Sequence, residues 1–552
     1  MSTKIGQSLY EQVLQSLGDA GKAGKGKAGS PLPPARPSAA VIPWRAREGG
    51  GLEVWWVRRA EELPFMGGWH AFPGGGLSRA DAAVPVSGTP AGAGEGPPAL
   101  GFPEALSEDP GPDLLPGLVA CALRELFEES GVLLASSSSS RGAFDPAALS
   151  RAQSALLAKE RTFPEVLADL GATLDASRLV WAGRWVTPPF APVRFDNRFF
   201  LLEWPRTEAM QPEVLPGELA EGGWIDPGAA LAQCREEALA APPILHILNV
   251  LAEDGPAAGL PRLRDPAETN LGPLRRIEMR PGVLMFPLAT HTLPPALTTN
   301  TYLLGTGEAV LVDPGSPLDA ENERLERALT AIRDLPGRQS RQITAIWLTH
   351  HHPDHIGGVE RLRRFLGVPV LAHPATAERL AGRSDRIVVD GTLADGQRIV
   401  LAGHLAGDPP FPVRVVHTPG HARGHLCFLD ETHGSALVGD LVAGLGTIVV
   451  DPPEGDMDAY LSSLDQLAAL HPRTLFPGHG PAIKNAVAKL REYIEHRLWR
   501  EERVLAAWNG GLRAPGEMLA TVYDDVPKEA HPLAERQILA HLDRLRKAGR
   551  IG

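Results

Sequence analysis

Four histidines and one aspartate lie within the short segment from His350 to His355. Imidazole nitrogens and carboxylate oxygens are the usual protein ligands of zinc and similar divalent ions. The apolar run at 345–348 directly before this segment predicts a buried strand, so the ligands are expected on the loop that leaves it. A rigid sheet can aim several loop side chains at one point. The segment therefore predicts a metal site at the end of a strand.

Three later apolar segments end in a turn that is followed by a candidate ligand, namely His421, Asp440 and His479. Glycines in these turns allow the backbone to pass close to a bound ion, because they carry no Cβ atom. Since each ligand follows a strand, the sequence predicts that several strand ends contribute to one site.

Together these segments resemble the metallo-β-lactamase superfamily, whose signature is H-x-H-x-D-H followed by a histidine, an aspartate and a histidine. The resemblance covers roughly residues 280–483 and implies an αββα sandwich with two metals at the ends of its sheets. The ligands that it implies are, for the first metal, His350, His352 and His421, for the second metal, Asp354, His355 and His479, and, as the bridge between them, Asp440.

The resemblance also implies the chemistry of a hydrolase. Two cations bring the pKa of water toward ~7, and Asp354 is expected to accept the proton that the water loses. Asp313 is expected to steady the ligand loop. An aspartate bridge favours a binuclear hydrolase over a true β-lactamase, whose second site more often uses cysteine. Zinc is the predicted metal, with iron and manganese as alternatives. The neighbouring histidines that do not fit the ligand spacing are expected to be supporting groups: His351, His417 and His425.

A second candidate site lies in the segment 124–132, which reads R-E-L-F-E-E-S-G-V. On a helix, Glu125, Glu128 and Glu129 share one face. Clustered carboxylates repel one another unless a cation joins them, and Mg²⁺ with a diphosphate is a suitable partner. Arg124 is expected to pair with Glu128 one turn further on. The alternative is a surface helix held by salt bridges.

The glycine-rich stretch 68–76, taken with this helix, resembles the Nudix box, interrupted as in the peroxisomal type of CoA diphosphatase. The resemblance covers about residues 37–240 and implies an α/β/α sandwich that hydrolyses a nucleoside-linked diphosphate. Mg²⁺ or Mn²⁺ would bind the three glutamates, with Glu128 and Glu129 as catalytic groups. Glu221 is a further candidate ligand or base.

The sequence departs from the usual Nudix box in two ways. The glutamate expected eight residues before Arg124 is replaced by Pro116, and an insertion near 78–115 separates the two halves of the box. A Nudix domain that binds its ligand without cleaving it therefore remains an alternative.

Helical patterns at 493–503 and 538–545, followed by Gly549 and a short apolar end, predict a small winged-helix module with a terminal strand. The H-R-x-x-R-E stretch at 496–501 resembles a branch of the metallo-β-lactamase superfamily that includes a mitochondrial single-strand endoribonuclease. Glyoxalase II enzymes carry a different helical tail. The basic residues are balanced by glutamates, so a tail that only shapes the rim of the active site is the alternative to one that binds RNA.

We therefore predict a multidomain protein of α/β and α+β class. Its expected parts are a flexible segment at 1–36, a Nudix domain at 37–253, a linker at 254–276, a metallo-β-lactamase-fold domain at 277–484 and a winged-helix module at 485–552. No apolar run reaches the ~20 residues that a membrane helix requires, so no membrane association is expected. The three cysteines are widely spaced and no secretory signal is evident, which favours the cytoplasm.

The expected function is hydrolysis of an ester, thioester or phosphodiester at one site and of a nucleoside diphosphate derivative at the other. A CoA ester contains both kinds of bond, so one class of small molecule could serve both sites. Two alternatives remain open. The chain could process RNA or nucleotides, or its Nudix half could sense a ligand and regulate the other half. The net charge of −12 argues against a nucleic-acid interface along the whole chain. The oligomeric state is not predicted.

Overall fold

The computed structural model describes residues 35–61, 63, 66–92, 114–137, 144–187, 194–205, 210–214, 217–236, 238–264, 277–293, 296, 298–335, 340–382, 387–444, 447–526 and 528–552. The chain divides into two compact units, with the boundary between Pro273 and Leu274. Most of the predicted flexible segment and of the predicted insertion lies outside the described residues. Among the described residues, no helix is both long and apolar enough to cross a membrane.

The first unit contains ten strands and seven α-helices within the described residues. The strands are β1 (Arg36–Ala46), β2 (Leu52–Arg59), β3 (His70–Ala71), β4 (Gly74–Gly76), β5 (Val86–Ser87), β6 (Ala135–Ser137), β7 (Ala172–Asp175), β8 (Leu179–Val186), β9 (Phe195–Glu203) and β10 (Leu219–Ile225). The helices are α1 (Leu115–Ser130), α2 (Pro146–Leu157), α3 (Phe163–Leu170), α4 (Pro227–Glu236), α5 (Pro242–Glu253), α6 (Gly255–Ala258) and α7 (Leu260–Arg264).

The main sheet of this unit has the order β10-β2-β1-β9-β8, with β3 added to β2 and β4 added to β1. Successive residues of β1 point to opposite faces, so Val41 packs with α1 while Ile42 packs with α5. Both faces of the strand are therefore buried, which explains its nearly continuous apolar sequence. The predicted α/β/α sandwich is confirmed.

The described part of the predicted linker is helical. Helices α6 and α7 occupy Gly255–Arg264, and Leu263 is fully buried against the core of the first unit. Arg264 donates a hydrogen bond from Nε to the carbonyl of Trp181 at 3.0 Å. Glycine and proline in this stretch suggested a loop, but its leucines pack against the sheet and extend the first unit.

The second unit contains thirteen strands and eight α-helices within the described residues. The strands are β11 (Ile277–Arg280), β12 (Val283–Ala289), β13 (Thr298–Leu304), β14 (Glu308–Val312), β15 (Gln342–Trp347), β16 (Val370–Ala372), β17 (Gly391–Thr392), β18 (Arg398–Leu401), β19 (Phe411–His417), β20 (Leu426–Asp430), β21 (Ser435–Gly439), β22 (Thr474–Pro477) and β23 (Ile483–Lys484). The helices are α8 (Asp319–Arg333), α9 (Pro353–Ile356), α10 (Val359–Leu366), α11 (Pro374–Ala381), α12 (Met457–Ala469), α13 (Ala486–Asn509), α14 (Pro515–Val522) and α15 (His531–Lys547).

Strands β11 to β17 form one sheet in chain order, and β18 to β23 form another. The sheets pack face to face, because Trp347 of the first lies 5.1 Å from Phe428 of the second, measured between ring centroids. Tyr302 and Phe476 make a similar contact at 6.0 Å. This pair of sheets confirms the predicted αββα sandwich.

Helices α13 to α15 form the C-terminal module around a core that includes Val504, Met518 and Ile538. Gly549 has a positive φ of 65° and ends the last helix, as its position predicts. The short strand predicted after it is wrong, since residues 550–552 are described and adopt no strand. No partner strand is available there to complete a ladder within the described residues.

Candidate metal centre

The ligand loop begins where β15 ends. Three predicted ligands from two loops bring ring nitrogens together: Nε2 of His350 lies 3.0 Å from Nδ1 of His352, and Nε2 of His421 lies 2.8 Å from the same Nδ1. All three side chains are buried. Their ligand atoms form one group within 4.8 Å of one another. The structure thus brings together the residues assigned to the first metal.

A second group lies beside the first and consists of Asp354, His355 and His479. Nε2 of His479 is 3.5 Å from Oδ2 of Asp354. Asp440 lies between the two groups. Its Oδ1 is 3.3 Å from Nε2 of His355 and 3.4 Å from Nε2 of His479, whereas its Oδ2 is 3.6 Å from Nε2 of His421. One carboxylate therefore faces both groups, as expected of a bridging ligand.

The outer nitrogens of the histidines are held by hydrogen bonds. Nδ1 of His421 donates to the carbonyl of Val449 at 2.7 Å, and Nδ1 of His479 donates to the carbonyl of Thr298 at 3.0 Å. A proton fixed on Nδ1 leaves Nε2 free to bind a cation and sets the ring orientation.

Asp313 organises the rest of the ligand loop from the end of β14. Its Oδ1 accepts a hydrogen bond from the backbone N–H of Thr349 at 2.8 Å, and its Oδ2 accepts from Nδ1 of His355 at 2.8 Å. The hydroxyl of Thr349 also donates to Asp313 and accepts from Nδ1 of His350 at 2.9 Å. Asp313 therefore orients two predicted ligands, one directly and one through Thr349.

Burial and the surrounding charges shift the pKa values of these groups. Burial and neighbouring imidazoles hold the pKa of His350 and His352 well below the usual value, so both rings stay neutral and keep a lone pair for a cation. Burial acts in the same direction on His355, but the carboxylates of Asp440, Asp313 and Asp354 together outweigh it and raise the pKa of that ring well above its usual value. The nearby imidazolium charges in turn hold the pKa of Asp440 well below its usual range, although burial opposes this.

Two buried atoms indicate that this donor set suits a cation. Nε2 of His355 and Oδ1 of Asp440 form no hydrogen bond of acceptable geometry with any described residue. Buried polar atoms seldom stay unsatisfied, and a divalent ion between them would be a common partner. The nitrogen and oxygen donors are those that zinc prefers. The residues present therefore fit two divalent metals.

Gly478 allows this close approach. A Cβ atom at this position would lie 2.6 Å from Oδ1 of Asp440 and 2.7 Å from Cε1 of His355, which is too close for a real side chain. The glycine before His479 is therefore required by the packing of the ligands themselves.

The three additional histidines occupy different environments. His425 is fully buried, accepts a hydrogen bond at Nε2 from the backbone N–H of Asp440 at 3.1 Å, and donates from Nδ1 to Thr418 at 2.8 Å. Burial and nearby His421 lower its pKa to about 3. The ring of His351 packs 4.9 Å from that of His352, while His417 stacks on His373 with ring centroids 4.1 Å apart. Of the three, His425 is the one that contacts the backbone of Asp440.

In the first unit, α1 carries the three predicted glutamates on one side. Oε2 of Glu129 accepts a hydrogen bond from the backbone N–H of Gly74 at 3.2 Å, and a Cβ atom at Gly75 would lie 2.3 Å from Oε1 of Glu125. The glycine run therefore packs directly on the glutamates. Arg124 pairs with Glu128 at 2.9 Å, as predicted.

Burial raises the pKa of Glu125 to about 7, against the opposing charge of Arg124, and it also raises the pKa of Glu129 well above its usual value. A cation would offset the cost of burying these carboxylates. Among the described residues, groups of three or more ligand atoms within 4.8 Å occur in the second unit alone. The three glutamates therefore share a face of α1 without converging as closely as the histidine site.

An acid that pairs with the arginine of the Nudix box lies near the start of the predicted insertion. Asp81 is fully buried and binds Arg124 through both oxygens, at 2.8 Å from Nε and 3.1 Å from Nη2. Counting back eight residues from Arg124 led to Pro116, which lies in the first turn of α1. Counting forward from the glycine run would have found Asp81.

Glu218 is a further residue that the sequence reasoning missed. Its charge contributes to raising the pKa of Glu125, Glu128 and Glu129, while its own side chain is 65% exposed and lies 3.9 Å from Nη2 of Arg59. Glu221, the predicted additional ligand, forms an ion pair with Arg58 across β10 and β2, and its side chain is 63% exposed. Glu218 directly precedes β10, and the sequence offered no signal that distinguished it from Glu221.

Comparisons with known proteins match both units. Residues 294–479 match the metallo-beta-lactamase superfamily, residues 28–251 match the NUDT19 Nudix domain, and residues 515–552 match the beta-lactamase associated winged helix domain. The beta-lactamase-like protein 2 homolog of Drosophila melanogaster is 32% identical over 47% of this chain and 86% of its own length. The lactamase-like protein vrtG of Penicillium aethiopicum is also 32% identical, over 50% of this chain and 81% of its own.

Two solved structures align with parts of this chain. A metallo-beta-lactamase family protein from Thermus thermophilus is 27% identical with a TM-score of 0.39, covering 49% of this chain and 95% of that one. A Nudix hydrolase from Alicyclobacillus acidocaldarius is 28% identical with a TM-score of 0.31, covering 40% of this chain and 91% of that one.

Proposed function

The chain belongs to the metallo-beta-lactamase superfamily and carries a Nudix domain in the same polypeptide, and we propose that this hydrolase acts at two separate metal-dependent sites. The observation that carries the proposal is the position of Asp440, whose two oxygens face two groups of ligands. A carboxylate in this position is suited to join two cations. We propose zinc for both, because imidazole nitrogens predominate among the donors.

Two divalent ions bound here would act as Lewis acids and make a water molecule more acidic. Asp354 is suited to accept the proton that this water loses, because its Oδ2 lies within the ligand group, 3.5 Å from His479. The hydroxyl of buried Thr299 donates to the same oxygen at 3.4 Å and orients the carboxylate. The activated water would attack an ester, a thioester or a phosphodiester.

We propose that the first unit cleaves a diphosphate linked to a nucleoside, with Mg²⁺ or Mn²⁺ held by Glu125, Glu128 and Glu129. Their burial on one helix face beside the glycine run supports a cation site. The contact between Asp81 and Arg124 supports catalysis over a binding-only role, because the arginine of the box has its acidic partner after all. Glu128 and Glu129 are the proposed catalytic groups.

One class of small molecule would be the substrate of both sites. A CoA ester contains a thioester for the binuclear site and a diphosphate for the Nudix site, and the interrupted Nudix box resembles the CoA diphosphatase type. A cytoplasmic location is part of the proposal, since Cys121, Cys234 and Cys427 are all free and buried.

The test is to incubate the purified full chain with an acyl-CoA and to follow two products, free thiol and 3′,5′-ADP. We expect H350A to abolish release of the thiol alone and E128Q to abolish release of 3′,5′-ADP alone. H433A and E160Q serve as controls, because His433 pairs with Asp430 and Glu160 is exposed. Absence of both products with the wild-type protein would reject the CoA-ester proposal.

Two further experiments distinguish this proposal from an RNA-cleaving enzyme and from a ligand-sensing Nudix domain. A fluorogenic single-stranded RNA that is cut by the wild type and left intact by H350A would favour a nuclease over an esterase. If E128Q changes the rate of the binuclear site while the wild type releases no 3′,5′-ADP, the Nudix domain is a ligand sensor.

A further inference from the structure

The C-terminal helices contact the segment that orients one of the metal ligands. This segment, Thr447–Asp451, follows the bridging Asp440 and precedes α12, and the carbonyl of its central residue, Val449, accepts the hydrogen bond from Nδ1 of His421. It forms no strand or helix, so regular secondary structure does not hold it in place. Its position must therefore come from other contacts.

Those contacts come from α13 and α15. Arg497 of α13 donates from Nη2 to the carbonyl of Ile448, and Gln537 of α15 donates from Nε2 to the carbonyl of Val450 at 2.9 Å. Arg497 also donates from Nη1 to Oε1 of Gln537 at 3.1 Å. Three consecutive carbonyls thus have three different partners, with the two outer ones bound to the C-terminal module and the middle one bound to His421.

Burial makes these bonds important. Arg497 is 3% exposed and Gln537 is 5% exposed, while Ile448 and Val450 lie in the apolar core that α12 shares with α13 and α15. Water cannot readily replace a lost donor at such carbonyls, and leaving a buried carbonyl without a partner is unfavourable. Without either side chain, the segment would be expected to shift so that its carbonyls reach water.

From this geometry we infer that Arg497 and Gln537 are positioning residues for the first metal: they hold the carbonyl of Val449 where it fixes the ring of His421. The inference rests on the proposed binuclear site. It gives the C-terminal module a role in metal binding.

The test is zinc binding to the metal-depleted full chain, measured by competition with a chromophoric chelator. We expect R497M and Q537M to weaken the binding of one of the two zinc ions by tenfold or more, within the ~10–100-fold range that outer-shell partners of metal ligands show. The second zinc ion should bind nearly as in the wild type, because His355 and His479 are held by Asp313 and Thr298. R497K should restore part of the loss.

Arg500 provides a matched control on the same helix. It is 2% exposed, and it binds the carbonyl of Val522 and the carboxylate of Asp525, without a contact to the Thr447–Asp451 segment. R500M should lower the melting temperature of the protein and leave both zinc affinities unchanged. Gln537 is uncharged, so Q537M carries the test if R497M does not fold.

Two results would overturn the inference while leaving the proposed function intact. One is wild-type zinc affinity in both R497M and Q537M, and the other is an equal loss of affinity in R497M and R500M, which would indicate general destabilisation. A wild-type chain that binds no zinc would instead reject the proposed function, and with it the inference.

Discussion

At the scale of single residues, Asp440 is the group on which both halves of the metal site depend. Its two oxygens lie 3.3 to 3.6 Å from nitrogens of His355, His479 and His421. We expect D440A to lower zinc affinity at both positions by more than ~100-fold, the upper range for loss of an outer-shell partner, since a direct ligand is removed from each. Chelator competition measures this loss.

Asp430 is a suitable control for D440A because it is also a fully buried aspartate of the second unit, and it hydrogen-bonds His433 outside the site. D430N should keep both zinc affinities. If D440A loses affinity at one position and retains it at the other, Asp440 is not a bridge.

Asp81 shows how a single buried acid can support a site without being part of it. It has no exposed surface and holds Arg124, which in turn pairs with Glu128. We expect D81A to destabilise the first unit by roughly 3 kcal/mol, because it leaves a largely buried arginine without its main partner. Urea unfolding of the full chain, followed by tryptophan fluorescence, measures the change.

D81N keeps the shape and one acceptor oxygen, so its loss of stability should be smaller than that of D81A. Equal stability of D81A and the wild type would show that Asp81 does not carry the role of the missing glutamate.

The sequence predicted the histidine site and missed Asp81 for a physical reason. Ligands such as His421 and His479 follow apolar strands by a few residues, so local order along the chain predicts their place at the sheet end. Asp81 and Arg124 lie 43 residues apart in the sequence, so the spacing counted back from Arg124 did not show that they meet. Glu218 was missed because it lies just before β10 and outside any motif, so its effect on the three glutamates depends on the fold.

At the scale of elements, the strands were predictable because their apolar runs are long, whereas short helices and chain ends were not. Helices α6 and α7 were read as a linker because glycine and proline mark both loops and helix starts. Their burial depends on contacts with β8 that only the fold supplies. The strand predicted after Gly549 was wrong because, within the described residues, no neighbouring strand is available to pair with residues 550–552.

Helices α13 and α15 are joined by a buried charge network that responds to pH. Glu501 of α13 accepts hydrogen bonds from His541 at 3.4 Å and from Arg544, and both residues lie on α15. Burial alone would raise the pKa of Glu501, but these two partners outweigh it and hold its pKa below the usual 4.5. The ionised form therefore stabilises the module at neutral pH, and this stabilisation is lost as the pH falls.

We accordingly expect E501Q to melt at a lower temperature than the wild type at pH 7, with a difference that shrinks as the pH falls below 4.5. Thermal unfolding of metal-depleted protein at several pH values tests this, because removal of the metal excludes effects of ligand protonation. A difference that stays constant down to acid pH would show that the charge of Glu501 is not what stabilises the helices.

At the scale of the whole molecule, two compact units each carry their own candidate site. The sites differ in their donors, since the first unit offers carboxylates alone and the second offers mainly imidazoles. Carboxylate oxygens favour Mg²⁺ or Mn²⁺ and imidazoles favour zinc, so the two sites can be loaded separately. The order of the domains was predictable because each has its own motif, whereas the substrate depends on pocket shape, which no motif encodes.

The most direct test of the account is a zinc titration of metal-depleted E128Q protein, in which the Nudix site is disabled, with thioester hydrolysis followed in parallel. We predict that two zinc ions bind per chain and that hydrolysis reaches its full rate when the second has bound. Binding of a single ion with full activity, or hydrolysis that does not depend on zinc, would contradict a binuclear site bridged by Asp440.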